Sequence, residues 1–434
     1  MPISSYLQGL GDIPRKMHRD VRSWQTRRHR NRSSATFIAI TGSSGKSTCG
    51  QLLSHLLVGH GEVESQLFAN TYSPIARKIR RLKSSTEYVV VEAGIGFRGR
   101  MQRMARVIQP DVAIVTMVGI EHYRAFRSRE VVATEKGGLV EAIRPSGLAV
   151  LNADDEFVLG MAARTSERIV TFGKNPEADY RVISAMAAYP KCLELDIDCR
   201  GTRCHFDTPF VGAHLWLPCV AAITAALELG VTVKHIQERL TDFVGPPFRF
   251  QPYPTSGPTF ILDTAKAPYG TLELAFSAFA AASYAHKRIV LGNIADFAGS
   301  DRPKYRDAYR AARAISDQVI IVDRNLHRYD DIKEDLESGK LIELETAEAV
   351  DKFIRDTYRK DELILVKSSK NLHLERVALS WTNNVQCWES KCRVDRNCLE
   401  CGLYEFPFGE HESLRQEADV RKLSPGDIAR SDVR

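Results

Sequence analysis

Short apolar runs alternate with amphipathic stretches of helical length from residue 36 onward. These runs are rich in Val, Ile, Leu and Ala, as expected for parallel strands whose two faces are both covered. The runs lie at residues 37–41, 88–93, 111–118, 148–154, 259–263, 287–293, 318–323 and 362–367. Helical stretches such as 46–57 and 220–230 separate them. The alternation predicts an α/β protein built from βαβ units with mostly parallel sheets.

Two interruptions divide this pattern. Residues 166–210 contain shorter alternating strands, and GPPFRF at 245–250 has the rigid, turn-like composition of a domain boundary. We therefore expect a leader at 1–35, a central domain at 36–245, a Rossmann-like α/β domain at 246–384, and a cysteine-rich segment with a polar tail at 385–434. The polar composition of the tail predicts partial disorder.

The first apolar run leads directly into a glycine-containing turn, in the segment FIAITGSSGKST at 37–48. The common phosphate-binding loop is G-x-x-x-x-G-K-S/T, whereas here only two residues separate Gly42 from Gly45. Even so, a strand, a turn and a helix N-terminus present backbone N–H groups to an anion. Lys46 can then reach the β- and γ-phosphates, and the Ser47 hydroxyl can bind Mg²⁺. The candidate nucleotide-binding residues of this loop are Gly42, Ser43, Ser44, Gly45, Lys46, Ser47 and Thr48.

The segment ITGSSGKST resembles the shortened phosphate loop of the Mur ligases, which form amide bonds at the expense of ATP. Further segments resemble this family in the same order, namely YVVVEAG, VGIEHYRAF, VVATEKGGL, LNADD, GPPFRF, LDTAKAPYGTL and VKSSKNLHLERVAL. The resemblance covers about residues 36–380 and is nearest to the MurF-type and MurE-type ligases. It implies a P-loop central domain, a Rossmann-like C-terminal domain, and ATP and Mg²⁺ as cofactors.

The resemblance also implies roles for individual residues. Glu92 and His122 would join Ser47 in binding magnesium, and Lys136 would carry a carbamate that places an anion near the metal. The implied catalytic residues are Lys46, His122, Lys136 and Arg249. The other implied nucleotide-binding residues are Asn152, His214, Arg249 and Asp263. Binding of the amine substrate would fall to Lys266, Lys367, Ser369 and Lys370.

Two departures from the family pattern limit what the resemblance implies. Only some 35 residues precede the loop, and a UDP-sugar-binding domain of about 100 residues does not fit there. We therefore expect an acid substrate other than a UDP-linked muropeptide. In GAHLWLPCVAAITAAL (212–227), Leu215 and Pro218 replace the two Asn of the family motif, and neither side chain can hydrogen-bond to adenine.

Four of the nine cysteines lie within fifteen residues, with the spacing C-x₄-C-x₅-C-x₂-C. They are Cys387, Cys392, Cys398 and Cys401. A closing C-x-x-C is a common half-site for zinc, and four thiolates complete a tetrahedral structural site. An iron–sulfur cluster, redox disulfides and four unconnected thiols are alternatives. We favour a structural Zn²⁺ that holds the tail on the last domain.

The net charge of +6 is concentrated at the start of the chain. Residues 1–34 contain eight Lys or Arg against two Asp, so the rest of the chain is balanced. The basic pI is therefore no argument for nucleic-acid binding. We interpret the leader as a helix or arm on the protein's own acidic surface. Contact with phosphates or an acidic partner is the alternative.

Bulk properties point to the cytoplasm. No apolar run approaches the roughly 18–20 residues that span a bilayer, and the N-terminus has no signal-peptide core. The five scattered cysteines suit a reducing compartment.

The sequence thus predicts an enzyme, an ATP-dependent ligase that joins a carboxylate to an amino acid or other amine through an acyl phosphate. One alternative is an amidotransferase subunit that takes ammonia from a glutaminase partner. Another is a nucleotide-dependent module that contacts nucleic acid, a partner that we do not expect.

Overall fold

The computed structural model describes residues 20–324, 332–390, 392, 394 and 396–421. Predictions about residues 1–19 and 422–434 therefore lie outside the described residues. The chain divides into two compact units. Of the described residues, the first unit comprises 20–185, 194–209 and 215–244, and the second comprises 186–193, 210–214 and those between 245 and 421. Among the described residues, no helix has the length and apolar character needed to cross a membrane.

The first unit is organised around a nine-stranded sheet with the strand order β2-β3-β1-β4-β5-β6-β7-β8-β9. The strands are β1 (Thr36–Thr41), β2 (Val63–Gln66), β3 (Tyr88–Glu92), β4 (Val112–Val115), β5 (Leu148–Asn152), β6 (Arg168–Gly173), β7 (Tyr180–Ala188), β8 (Lys191–Cys199) and β9 (Thr202–Asp207). Neighbouring strands from β2 to β7 pair in parallel, and β8 and β9 pair antiparallel. The central strand β1 is almost wholly buried, because helices cover both faces of the parallel part.

The helices of the first unit are α1 (20–32), α2 (Lys46–Leu56), α3 (Tyr72–Ile79), α4 (Arg100–Ile108), α5 (Tyr123–Phe126), α6 (Arg129–Gly137), α7 (Glu156–Leu159), α8 (Trp216–Glu228) and α9 (Val233–Thr241). Helix α1 belongs to the predicted basic leader. Its Arg30 is fully buried and donates to the Ile108 carbonyl at 2.7 Å and to the Asp111 carboxylate at 2.7 Å. One of the basic residues of the leader is therefore part of the folded unit.

The second unit contains a six-stranded sheet with the order β10-β11-β15-β12-β13-β14. The strands are β10 (Gln251–Tyr253), β11 (Thr259–Asp263), β12 (His286–Leu291), β13 (Gln318–Val322), β14 (Leu341–Leu344) and β15 (Glu362–Lys367). Only β10 is antiparallel to its neighbour. The helices are α10 (Leu272–Ala280), α11 (Asp301–Arg313), α12 (Lys333–Glu337), α13 (Ala347–Thr357), α14 (Arg376–Leu379), α15 (Cys398–Cys401) and α16 (His411–Arg421).

The predicted α/β class with mostly parallel sheets is confirmed. The continuous apolar runs became the buried parallel strands, and the residues 245–250 contain neither helix nor strand. Within the tail, residues 411–421 form α16, which the sequence analysis did not predict. Composition missed this helix because its residues are mostly polar, so they give little apolar periodicity.

Candidate active site

Two glycines give the loop between β1 and α2 its shape. Gly42 has φ 148°, and a Cβ atom there would lie 1.9 Å from the Thr116 hydroxyl oxygen. Gly45 precedes α2 in the left-handed region, with φ 78°. A Cβ at Gly45 would approach Pro218 at 3.3 Å. Glycine is therefore required at the first position and favoured at the second, which lets the backbone turn tightly beneath an incoming anion.

The loop is fastened to the segment that follows β4. The Ser43 amide donates to the Met117 carbonyl at 2.8 Å, and the Thr116 hydroxyl donates to the Ser44 carbonyl at 2.6 Å. The Lys46 side chain is only 5% exposed, and its ammonium donates to the Gly42 carbonyl at 2.5 Å. These bonds hold the lysine over the loop at the N-terminus of α2, where the helix dipole attracts negative charge.

Ser47 and Glu92 meet at this edge of the sheet. Strands β1 and β3 are parallel neighbours, and Glu92 pairs in register with Ile40 just before the loop. The Ser47 hydroxyl donates to Glu92 Oε2 at 2.7 Å, and the Asn70 side-chain amide donates to Glu92 Oε1 at 2.8 Å. A hydroxyl and a buried carboxylate in contact are the oxygen ligands that Mg²⁺ prefers, so the pair fits a magnesium site.

Lys136 and its neighbours form the next layer. Lys136 on α6 is fully buried and makes an ion pair with Glu121, which is itself 6% exposed and accepts from the Ser43 hydroxyl at 3.3 Å. His122 is exposed in the left-handed region with φ 47°. The sequence pointed to His122 and missed Glu121, although the two are adjacent. The structure thus links Lys136 to the phosphate loop through Glu121.

Two other predicted residues, Asn152 and Thr48, lie close to the phosphate loop. The Asn152 side chain at the end of β5 donates to the Thr116 carbonyl at 2.9 Å and accepts from the Asp154 amide at 3.0 Å. It therefore positions the threonine that closes over Gly42. Thr48 is buried in the first turn of α2.

In the second unit, the predicted residues gather at the ends of β11 and β15. Lys367 is 3% exposed, pairs with Asp263 at 2.8 Å, and donates to the Lys266 carbonyl at 2.6 Å. The Lys266 side chain is exposed. The Ser369 amide donates to the Asn293 carbonyl at 2.8 Å, and both Ser369 and Lys370 are half-buried. Lys367 thus ties two loops together.

His214 also belongs to the second unit. Its ring packs edge-on against Phe250 at 4.9 Å between centroids. Burial lowers the pKa of His214 to about 4, so the ring is neutral at pH 7 despite the opposing effect of Asp263. Arg249 is half-buried between Phe248 and Phe250, both with positive φ, at 61° and 53°. Two departures of this kind, one on each side of Arg249, indicate a backbone held firmly by its surroundings.

The four clustered cysteines line one pocket at the end of the second unit, together with His373, Arg376 and His411. Cys392 Sγ lies 3.1 Å from His373 Nε2, and Cys398 Sγ lies 3.7 Å from His373 Nδ1. The Arg376 guanidinium donates to Cys398 Sγ at 3.1 Å. His373, Glu375 and Cys398 together form a buried group with the spacing of metal ligands. The sequence did not indicate His373, because it lies fourteen residues before the first clustered cysteine.

Comparison with known proteins relates the part of the chain that contains the phosphate loop to a family. Residues 40–226 match the Mur ligase middle domain. The chain is 30% identical over 217 residues to UDP-N-acetylmuramoyl-tripeptide--D-alanyl-D-alanine ligase of Mycobacterium tuberculosis (strain ATCC 25618 / H37Rv), covering 48% of this chain and 41% of that protein. It therefore spans about two fifths of the length of that relative.

Solved structures share the fold across both units. MurF from Acinetobacter baumannii matches with a TM-score of 0.73 at 22% identity, over 83% of this chain and 79% of that one. MurF from Thermotoga maritima, solved in complex with ADP, matches with a TM-score of 0.73 at 20% identity, over 83% of each chain. At these identities the likeness shows the fold.

Proposed function

Residues 40–226 match the Mur ligase middle domain, and from this match we propose that the chain is an ATP-dependent ligase that forms an amide bond. The observation that carries the proposal is the contact between Ser47 and Glu92 beside the Lys46 loop. A helix N-terminus, a lysine and two oxygen ligands converge there, as transfer of a terminal phosphoryl group requires.

The proposed reaction has two steps. A carboxylate oxygen of the acid attacks the γ-phosphorus of ATP, the bond to the bridging oxygen breaks, and ADP leaves. The amine then attacks the acyl carbon of the acyl phosphate, loses a proton, and displaces orthophosphate to give the amide. Lys46 and the backbone N–H groups that begin α2 would stabilise the charge on the transferring phosphoryl group.

Magnesium fits the residues present. Ser47 and Glu92 would bind the ion, and His122, in the same loop as Glu121, is the further candidate ligand from the family resemblance. When bound, Mg²⁺ would neutralise charge on the β- and γ-phosphates. Asn70, which sequence reasoning missed, would orient the Glu92 carboxylate through its 2.8 Å hydrogen bond.

We further propose that Lys136 is carbamylated in the active enzyme. Its neutral amine would attack CO₂ and lose a proton, which gives a carbamate anion. Complete burial of Lys136 supports this, because burial disfavours a lysine cation and keeps the carbamate from water. Carbon-13 NMR after addition of ¹³C-bicarbonate should show a carbamate resonance that is absent from Lys136→Arg. Identical spectra would refute this step.

The cysteine pocket supports a second proposal, a structural Zn²⁺ bound by the clustered thiolates. Burial and the nearby Glu375 raise the pKa of the Cys398 thiol. The Arg376 guanidinium, which is 1% exposed and donates to Cys398 Sγ, opposes that rise and would stabilise the thiolate once a metal displaces the proton. One zinc per purified chain, and less than a tenth of that in the double variant Cys392→Ser/Cys398→Ser, is the expected metal analysis. Iron in place of zinc, or no metal, would contradict it.

In the second unit, we propose that Lys266 and Lys370 attract the carboxylate of an amino acid or peptide amine. Asp263 would bind the nucleotide ribose. Arg249 and His214 would complete the nucleotide contacts. We also propose a cytoplasmic location, where ATP is available.

The deciding experiment is a product assay with ATP, Mg²⁺ and pairs of candidate acids and amines. The proposal predicts ADP and orthophosphate only when both substrates are present, and none with Lys46→Met. AMP and pyrophosphate would indicate adenylation instead.

The two alternatives make different predictions in the same assay. Turnover with ammonia in place of every amino acid would favour the amidotransferase, and stimulation by DNA or RNA would favour the nucleic-acid module. The relatives described above are ligases, and neither alternative gains support from them.

A further inference from the structure

The loop between β15 and α14, residues 368–375, joins two parts of the second unit. At its start, the Ser369 amide donates to the Asn293 carbonyl at 2.8 Å, and the Ser368 hydroxyl accepts from the Asn293 amide at 3.1 Å. These bonds fix that end on the edge of the sheet. The loop also carries Lys370, one of the proposed amine-binding residues. Its far end reaches the cysteine pocket through His373.

The two nitrogens of the His373 ring have different neighbours. Nδ1 lies 3.4 Å from Glu375 Oε1, while Nε2 lies 3.1 Å from Cys392 Sγ. Glu375 is 1% exposed and also accepts from the Cys398 amide at 3.0 Å, so its carboxylate is held in place. A histidine that donates Nδ1–H to a fixed carboxylate presents the lone pair of Nε2 on the opposite side, which is the usual arrangement of a metal-binding histidine.

The backbone at His373 supports this assignment. Its φ of 49° lies in the left-handed region, which a non-glycine residue adopts only where surrounding contacts enforce it. The side chain is 3% exposed. Backbone and side chain thus hold the ring with Nε2 directed towards Cys392.

The segment after the loop is fastened to the same cysteine-rich chain. Arg376 donates to the Cys387 carbonyl at 2.8 Å and to the Glu389 carbonyl at 3.0 Å, in addition to its bond with Cys398. Three of four consecutive residues therefore contact the cysteine-rich segment. These contacts join the far end of the loop 368–375 and the cysteine pocket in one hydrogen-bonded cluster.

We propose that His373 Nε2 is a ligand of the metal in the cysteine pocket, in place of one of the four thiolates, and that the metal thereby fixes the far end of loop 368–375. The inference rests on the proposed zinc site and extends it, because it makes the metal a support for the proposed amine-binding loop and not a clip for the tail alone. Loss of the metal would release His373 and loosen the loop while the sheet edge stays intact.

The test measures zinc affinity and backbone hydrogen exchange on the full chain, so it does not depend on ligase activity. We compare wild type, His373→Gln and the matched control His411→Gln. His411 also lines the pocket, but its ring bonds to the Phe406 carbonyl at 3.1 Å. The expected result is a zinc dissociation constant raised about tenfold or more by His373→Gln, and unchanged within twofold by His411→Gln.

Hydrogen exchange tests the link to the loop without any substitution. Removal of zinc from the wild-type chain should speed exchange of the amides of residues 370–373 about tenfold or more, while the amides of Ser369 and of β12 keep their rates. His373→Gln with zinc bound should show the same faster exchange.

Three results would overturn the inference. Unchanged zinc affinity in His373→Gln would remove the histidine from the ligand set, and unchanged loop exchange after zinc removal would break the link. Wild-type protein that binds no zinc would refute the metal proposal as well. The ligase proposal is tested by the product assay, which is independent of these measurements, so its failure can be distinguished from failure of this inference.

Discussion

The phosphate-loop edge of the first unit and the cysteine pocket of the second unit hold their polar groups in different ways. At the first, Ser47 and Glu92 lie at the ends of regular elements, and the register of two buried parallel strands brings them together. At the second, the ligand candidates lie on loops and a single turn of helix, α15, and their side chains contact one another directly.

The difference shows where each site obtains its order. The first site is preorganised by its sheet and by the close approach of Gly42 to Thr116. The second depends on a few polar contacts, such as those of Arg376, and would gain its stability from the metal. The first should therefore be sensitive to changes in side-chain chemistry and backbone space, and the second to removal of the metal.

The largest expected effect is that of Ser47→Ala, which should lower ATP turnover about 1000-fold by removing a magnesium ligand. Ser54→Ala is the matched control, because Ser54 lies on the same helix and its hydroxyl donates to the Gly50 carbonyl within α2 at 2.7 Å. Turnover measured by ADP release should be within twofold of wild type in this control. Equal losses in the two variants would contradict the assignment of Ser47.

Zinc removal by a chelator should be the next largest effect. A ligand that binds only the folded state at about 100 times its dissociation constant stabilises that state by about 3 kcal/mol. Calorimetry should therefore show a lower melting temperature for the second unit, with the affinity for ATP–Mg²⁺ little changed after Mg²⁺ is restored. If zinc removal lowered the melting temperature of the first unit alone, the second unit would not be the one that depends on the metal.

Gly42→Ala should destabilise the first unit by about 2 kcal/mol, because its methyl group would collide with the Thr116 hydroxyl 1.9 Å away. Gly160→Ala is the control in the same unit, since a Cβ there meets no atom within 4 Å. Urea denaturation measures both free energies of unfolding. If Gly160→Ala were destabilised as much as Gly42→Ala, the clash with the Thr116 hydroxyl would not be the cause of the destabilisation.

The smallest expected effect concerns acid. Desolvation alone would raise the pKa of Glu64, but hydrogen bonds from the Lys83 amide, Thr86 and Lys78 lower it to about 2. Because the folded pKa is depressed, Glu64 contributes stability above its unfolded pKa of about 4.3 and loses it as the pH falls towards 2.

This contribution is about 1 kcal/mol, since the pair with Lys78 lies near the surface. The stability of Glu64→Gln should be less dependent on pH between 5 and 2, at about that magnitude. The exposed Glu177→Gln is the control and should keep the wild-type slope. If the free energy of unfolding of Glu64→Gln depended on pH as steeply as that of the wild type, Glu64 would not contribute to acid sensitivity.

The sequence predicted the regular part of the molecule well. Apolar runs such as FIAIT and ELILVK became β1 and β15, because buried parallel strands need apolar residues on both faces. The phosphate loop was predicted because its strand, turn and helix follow one another directly in the chain. The α/β fold class and the resemblance to Mur ligases are confirmed.

Contacts between residues distant in sequence were missed. Asn70 and Glu121 belong to no recognisable sequence motif, because their contacts form only when the folded sheet brings separate loops together. His373 was missed for the same reason. Lys367 was expected at the substrate, yet its ion pair with Asp263 is visible only when β11 and β15 lie side by side. The roles of the individual site residues stay predictions.

The most direct test of the phosphate site is calorimetric titration of ATP with Mg²⁺ into wild type and Lys46→Met. We predict binding by wild type and an affinity reduced about 100-fold or more in the variant, because the lysine that faces Gly42 would no longer meet the terminal phosphates. Equal affinities in the two proteins would contradict the account.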